Sequence, residues 1–190
     1  MALQIGVVVL AAGLSRRMGQ NKLLMDVQGE PMIVRTIQAA KRAHLTELIA
    51  VCSDARVAQL VEDCGVGVLP NNEPEKGQSE SVRRGTIHLK NMDGILFLPG
   101  DQPLIRTETL VGMARLFCRE PQHIVCASLH GKRMSPNIIP KRLYEEICRL
   151  HGDVGGRQLF LRHGAEILNY PVTDAREMLD VDTIADYRKI

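Results

Sequence analysis

Tryptophan is absent from this chain of 190 residues, and tyrosine and phenylalanine number three each. Aromatic platforms on which nucleic-acid bases stack are therefore scarce. Charge of one sign is also lacking. The 24 Lys and Arg against 22 Asp and Glu leave +2 with His neutral, too small a field to gather nucleic acid or an acidic membrane surface. The five cysteines, Cys52, Cys64, Cys118, Cys126 and Cys148, are odd in number and contain no CxxC. That excludes a disulfide framework or zinc knuckle as the organising element and predicts buried, reduced thiols. The apolar run Ile5 to Leu14 is about half the length of a membrane span, and no basic segment precedes it as in a secretory signal. The expectation is a cytoplasmic protein with neither nucleic acid nor membrane as partner.

What is present is a 45% hydrophobic chain long enough to bury about 70% of its surface and leave about 9,000 Å² exposed as one domain, residues 1-190. Ile5 to Ala11 is a short β-branched run that ends in glycine and polar residues, the pattern of a strand buried on both faces and so covered by helices on both. The segments that follow alternate. Helix is predicted from about Pro31 to Ala43, strand at Leu48 to Cys52, helix from about Asp54 to Asp63 and strand near Val66 to Leu69. A helix capped by Ser79, a strand at Gly94 to Pro99, a helix from Thr107 to about Phe117 with Thr107 as its cap, and a strand at Ile124 to Ser128 come next. Gly131, Pro136 and Pro140 predict an irregular excursion, before helices near Lys141 to Leu150 and Val154 to Arg162. A strand near Glu166 to Tyr170 and a last helix capped by Thr183 close the pattern. Alternation of this kind predicts a three-layer, Rossmann-like α/β fold with a mostly parallel sheet, which binds ligands beyond the carboxyl ends of its strands.

The turn after the first strand, Leu10-Ala11-Ala12-Gly13-Leu14-Ser15-Arg16-Arg17-Met18-Gly19-Gln20-Asn21-Lys22, has neither P-loop nor GxGxxG spacing. It still suits an anion. Ala12 and Gly13 admit close approach to backbone N–H groups, and Arg16, Arg17 and Lys22 bring three cations to one loop. The alternative is a glycine turn carrying solvated basic residues. Asp101, in Gly100-Asp101-Gln102-Pro103, falls past a buried strand at the same sheet edge, where one carboxylate facing a triphosphate suffices to anchor Mg²⁺; the alternative is a turn cap. Asp180 and Asp182 share a face if their stretch is extended, and a cation site or capping ahead of the last helix both fit. The six histidines show no ligand spacing.

Read together, these segments resemble the molybdenum cofactor cytidylyltransferase family. AAGLSRRMGQNKLL is similar to its signature LAAGxSxRMGxxKxL, Gly100-Asp101-Gln102-Pro103 to its GDxP metal motif, and Leu179-Asp180-Val181-Asp182-Thr183 to its DIDTxxD segment. Gly77-Gln78-Ser79-Glu80-Ser81 looks like the family's G-x-S-x-S, and Gly152-Asp153-Val154-Gly155-Gly156-Arg157 like its GDxGxR. The chain departs at Ser135, where relatives carry His, and at Asn137, where an apolar residue is usual.

The resemblance implies a nucleotidyltransferase that uses Mg²⁺ to move CMP from CTP to the molybdopterin cofactor. GTP is the alternative donor, and a molybdenum hydroxylase apo-enzyme is the implied downstream partner. It assigns the nucleotide to Leu10, Ala11, Ala12, Gly13, Ser15, Lys22, Gly77, Ser79, Ser81 and Gly100, with catalysis at Lys22, Arg17 and Asp101. The metal falls to Asp101 with Asp180 or Asp182, of which Asp180 is favoured, and the acceptor to Asp153, Gly155 and Arg157. Three other functions compete: another transferase on this scaffold, a non-catalytic cofactor carrier or chaperone, and an NAD(P) oxidoreductase. A carrier has no need of a metal–triphosphate site, and the loop spacing disfavours the oxidoreductase.

Overall fold

The computed structural model describes residues 3–13, 20–152, 155–181 and 183–188, without the side chains of 155–158 and 184. Its strands and helices alternate from the start. The first half contains β1 (Ile5–Ala11), β2 (Asp26–Val27), β3 (Glu30–Pro31), α1 (Met32–Arg42), β4 (Glu47–Cys52), α2 (Ala55–Asp63), β5 (Gly67–Pro70), α3 (Gln78–His88) and β6 (Gly94–Pro99). The second contains α4 (Thr107–Arg119), β7 (Ile124–Leu129), β8 (Lys132–Pro140), α5 (Tyr144–Cys148), α6 (Gly155–Arg162), β9 (Ile167–Pro171) and α7 (Ile184–Tyr187). Seven strands form one sheet in the order β5-β4-β1-β6-β8-β7-β9. Only β8 runs against its neighbours; the other pairings in this sheet are parallel. No helix among the described residues is long and apolar enough to cross a membrane.

Side-chain alternation explains the three layers. Val7, Val9 and Ala11 of β1 join Ile33 and Ile37 of α1, Val57 and Val61 of α2, and Leu110, Met113 and Phe117 of α4 on one face. Val8 points the other way, into a cluster with Val82 of α3, Tyr144 and Ile147 of α5, and Leu159 of α6. Strands covered on both faces must be apolar at every position, which is why β1 and β6 read as continuous hydrophobic runs. Gly85 lets α3 settle directly on β1: a Cβ there would lie 2.7 Å from both γ-carbons of Val8. At the far end of the sheet, His163 after α6 joins Glu146 of α5 (2.8 Å) and Glu166 (3.2 Å). Arg162 and Arg142 complete this cluster by pairing with Glu146 and Glu166 respectively.

Several local expectations need correction. Residues 132–140 are no irregular excursion but the antiparallel strand β8. The prolines mislead because Pro136, which lacks an N–H, falls in a bulge: Ala127 pairs with Met134 and Cys126 with Asn137, leaving Ser135 and Pro136 outside the ladder,. Ser79 does not cap α3. The helix begins one residue earlier, and Gly77 takes the cap position at φ +85°, which glycine adopts without strain,. Thr107 does not cap α4 either, since its hydroxyl donates to the Ala39 carbonyl (3.0 Å). Buried Glu177 serves that helix start instead, accepting from the Arg106 N–H (3.1 Å) and the Thr109 hydroxyl (2.5 Å). Cys118 is exposed, whereas Cys52 and Cys126 are buried and Cys64 and Cys148 partly so. Thr183 does cap α7, in a reciprocal pair with Asp186,. The β2–β3 hairpin carries no strong hydrophobic period, and its turn at Gln28-Gly29 is left-handed at both residues (φ 56° and 92°),.

Candidate active site

The chain leaves β1 for β4 on one side and later returns to place β6 on the other. The carboxyl ends of β1 and β6 therefore flank a topological switch point, where an open parallel sheet has its ligand crevice. Leu10, Ala11, Ala12 and Gly13 emerge from β1 there, and Gly100 and Asp101 from β6. The two exits are fastened together, because the Gly100 N–H donates to the Leu10 carbonyl at 3.0 Å. A side chain at Gly100 would be tight, since its Cβ would meet that same oxygen at 3.0 Å and Ile33 Cδ1 at 3.2 Å. Among the described residues nothing lies within 4 Å of where a Cβ at Gly13 would stand. Ser53, after β4, donates its hydroxyl to the Ala12 carbonyl (3.3 Å) and steadies the third residue of this turn.

Lys22 opens a one-turn 3₁₀ helix, Lys22–Leu24. Asn21 caps it, accepting from the Leu23 N–H at 3.1 Å, while its amide nitrogen donates to Asp54 Oδ2 at 3.1 Å. Asp54 in turn caps α2, and the Arg56 guanidinium beside it holds its carboxyl well below the usual range. Buried Leu23 anchors the turn to the core. This scaffold directs Lys22 across the crevice, where its Nζ lies 2.5 Å from Asp101 Oδ2, the two side chains being only 13% and 18% exposed. Asn21, Ser53 and Asp54 do not stand out in the sequence as parts of a loop support. The Asx cap ahead of Leu23 was the available signal.

A third segment joins them. The Val181 N–H donates to the Asp101 carbonyl at 3.2 Å, and the fully buried Gln102 donates from Nε2 to Asp180 Oδ1 at 2.9 Å. Asp180 is therefore brought beside Asp101. Magnesium takes oxygen ligands and needs only one or two carboxylates when phosphate oxygens and water supply the rest. Among the described residues no three His, Cys, Asp or Glu side chains gather into a cage. Asp101 and Asp180 are the carboxylates here that would hold an ion shared with a triphosphate.

Gly77, Ser79 and Ser81 lie at the start of α3. Ser79 and Ser81 are buried, and the Ser81 hydroxyl accepts from Asn71 Nδ2 at 3.0 Å. The Asn71 N–H donates to the Cys52 carbonyl (2.7 Å), tying this helix start to the β4 exit. Ser15, Arg16 and Arg17 lie outside the described residues, as do Asp153 and Asp182. Gly155 is the first residue of α6, and the Arg157 side chain is likewise outside the description. Burial pushes the thiols of Cys52 and Cys126 each up to about 12, which keeps them protonated at neutral pH,.

Comparison with known proteins agrees with this geometry. The chain is 30% identical to the purine catabolism protein PucB of Bacillus subtilis, over 95% of this chain and 92% of that one. It is 34% identical to the 3-deoxy-manno-octulosonate cytidylyltransferase of Chlorobium phaeobacteroides over 60% of its own length, and spans about half (46%) of that relative. The crystal structure of Rv0371c from Mycobacterium tuberculosis superposes with a TM-score of 0.81 at 27% identity, covering 100% of this chain and 98% of that one. The same protein has also been solved in complex with manganese, matching at a TM-score of 0.77 and 26% identity over 98% and 97% of the two chains. Residues 7–167 match the MobA-like NTP transferase domain. With the exits of β1 and β6 and the returning C-terminal segment fastened together at one crevice, the chain belongs to the MobA-like NTP transferase family and is a nucleotidyltransferase.

Proposed function

We propose that this protein, as a single domain, transfers CMP from CTP to the terminal phosphate of the molybdopterin cofactor and releases pyrophosphate. The reaction depends on Mg²⁺, takes place in the cytoplasm and serves maturation of a molybdenum hydroxylase. The observation that carries the reading is the Lys22–Asp101 pair at the β1–β6 switch point, with the 180–181 segment hydrogen-bonded to Asp101 and Gln102 beside it. The Gly-Asp-Gln-Pro and GDxGxR features and the cytidylyltransferase relative favour cytidylyl over guanylyl transfer.

The acceptor phosphate oxygen attacks the α-phosphorus in line, and no covalent enzyme intermediate is needed. Backbone N–H groups around Gly13 and Ser15, with Arg17 and Lys22, hold the triphosphate and meet the charge that moves toward the leaving pyrophosphate. Lys22 is kept in place by Asp101 until phosphate oxygens compete for its ammonium. Asp101 and Asp180 hold Mg²⁺, which when bound neutralises phosphate charge and orients the reacting groups. Gly77, Ser79 and Ser81 face the base, where Ser81 keeps its own proton for donation. Asp153, Gly155 and Arg157 receive the acceptor.

Thermal shifts with CTP, GTP and ATP, each with and without Mg²⁺, test this. Free ligand at 100 times Kd adds about 2.7 kcal/mol, a rise of roughly 5 to 10 °C for a domain of this size. A Mg²⁺-dependent rise with CTP alone, lost in Asp101→Asn, is the expected result. A rise with GTP moves the protein to guanylyl transfer. No rise with any nucleotide counts against nucleotide binding before the acceptor: it raises the cofactor-carrier reading or means that the acceptor must bind first.

A further inference from the structure

Gln102 has no role in the reaction as described above, yet its placement is unusual. It is fully buried, directly after Asp101, and its Nε2 donates to two acceptors at once, Asp180 Oδ1 (2.9 Å) and the Ser135 carbonyl (3.2 Å). Both neighbours are acceptors, so the amide can stand only one way round. Its Oε1 then has no hydrogen-bond partner among the described residues. A buried carbonyl without a partner is unfavourable for folding. A side chain selected for packing alone would be apolar at this position.

The Ser135 carbonyl is available because of the bulge in β8, which takes Ser135 and Pro136 out of the ladder with β7. Asp180 is exposed, between half-buried Leu179 and buried Val181, after the 3₁₀ turn Ala175–Met178. Its backbone is secured one residue later by the bond from Val181 to Asp101, and the Gln102 amide fixes its side chain. Two consecutive residues at the end of β6 thus clasp two consecutive residues that follow 78 positions or more later.

We infer that Gln102 is a positioning residue: it orients Asp180 as the second carboxylate toward the metal and braces that orientation against the β8 bulge. The inference rests on Asp180 being a metal ligand, as read above. Hydrogen-bonded partners of ligating carboxylates act in this way in metal sites, and their loss weakens metal binding by roughly 10- to 100-fold.

The test is titration of the whole protein with MnCl₂, alone and together with CTP, free Mn²⁺ being read by electron paramagnetic resonance. Wild type, Gln102→Met, Asp180→Asn and the double variant are compared. Gln102→Met keeps the length and removes the donor; Gln102→Leu, also without a donor, is used if the methionine variant does not fold. The expected result is weakening by roughly 10-fold or more in the single Gln102 variant, with no further loss when Asp180 is already Asn. A merely structural role lowers the melting temperature in both backgrounds and leaves Mn²⁺ affinity alone. If Asp180→Asn weakens Mn²⁺ and Gln102→Met does not, or if the two losses multiply in full, the inference is overturned and the reading of Asp180 stands. If Asp180→Asn binds Mn²⁺ like wild type, or if wild type binds Mn²⁺ neither alone nor together with CTP, both fall.

Discussion

The ammonium of Lys22 and the carboxylate of Asp101 meet at 2.5 Å across the crevice although they lie 79 positions apart in the chain. Each comes from the exit of a different central strand, so the pair reports directly on how those strands are juxtaposed. It also couples the loop that would hold the triphosphate to the carboxylate that would hold the metal. Lys22→Ala and Asp101→Asn are each expected to lower kcat by about 10²-fold or more while circular dichroism stays native. Because the groups touch, the double variant should lose much less than the product of the two single losses. Near-normal turnover in either single variant would remove that residue from the mechanism.

The cluster around His163 makes stability depend on pH. Its two carboxylate partners, Glu146 first, raise the folded-state pKa of His163, and hydrogen bonding to His163 lowers those of Glu146 and Glu166. The histidine's contribution is complete below its unfolded pKa and lost as pH rises through the folded one. The carboxylates' contribution is complete above their unfolded pKa and lost as pH falls through the folded ones. The difference in Tm between wild type and His163→Gln should therefore be largest between about pH 4.3 and 6.5 and shrink on either side. A difference independent of pH would show that the pairing contributes nothing to the folded state.

Glu177 is a long-range cap, 71 positions from the Arg106 N–H that it receives. Removing its carboxyl leaves that N–H and the Thr109 hydroxyl buried without an acceptor, so Glu177→Ala should lose about 1–3 kcal/mol in urea unfolding. Glu177→Gln, which still offers an oxygen, should lose less. Equal losses would show that the methylenes, not the acceptor, matter.

Gly85 and Gly13 differ in the space around them. Gly85→Ala gains helix propensity but drives a methyl into Val8, and the overpacking of about 1–3 kcal/mol should dominate. Among the described residues Gly13→Ala meets nothing within 4 Å, and it should leave unfolding within about 0.5 kcal/mol of wild type. It should instead shrink the thermal shift produced by Mg²⁺ and CTP. Denaturation and nucleotide-binding curves on the same two variants check both statements.

The parallel core is legible in the sequence because β1, β4 and β6 are each buried on two faces, and a β-branched run without interruption has few other solutions. The position of Asp101 just past β6, and of Lys22 in the segment that follows β1, comes from the same reading. What escapes is non-local. Glu177 displaces Thr107 as the acceptor at the start of α4, and no local window around residue 107 contains it. Pro136 and Pro140 look like strand breakers until the bulge opposite Cys126 and Ala127 is known. Gln102 is visible within its motif, but its task is set by a carbonyl at 135 and a carboxylate at 180.

The antiparallel insertion of β8 has a consequence for biosynthesis. β6 pairs with β8 rather than with β7, and β7 pairs only with β8 and β9. A nascent chain that has emerged through residue 129 can assemble β5, β4, β1 and β6, yet leaves one whole edge of β6 as bare amides and carbonyls. Such an edge is a template for pairing with other chains. Until residues 132–140 leave the ribosome the growing polypeptide is open to misassembly, and the brief interval needed to translate β8 is when a nascent-chain chaperone would matter most.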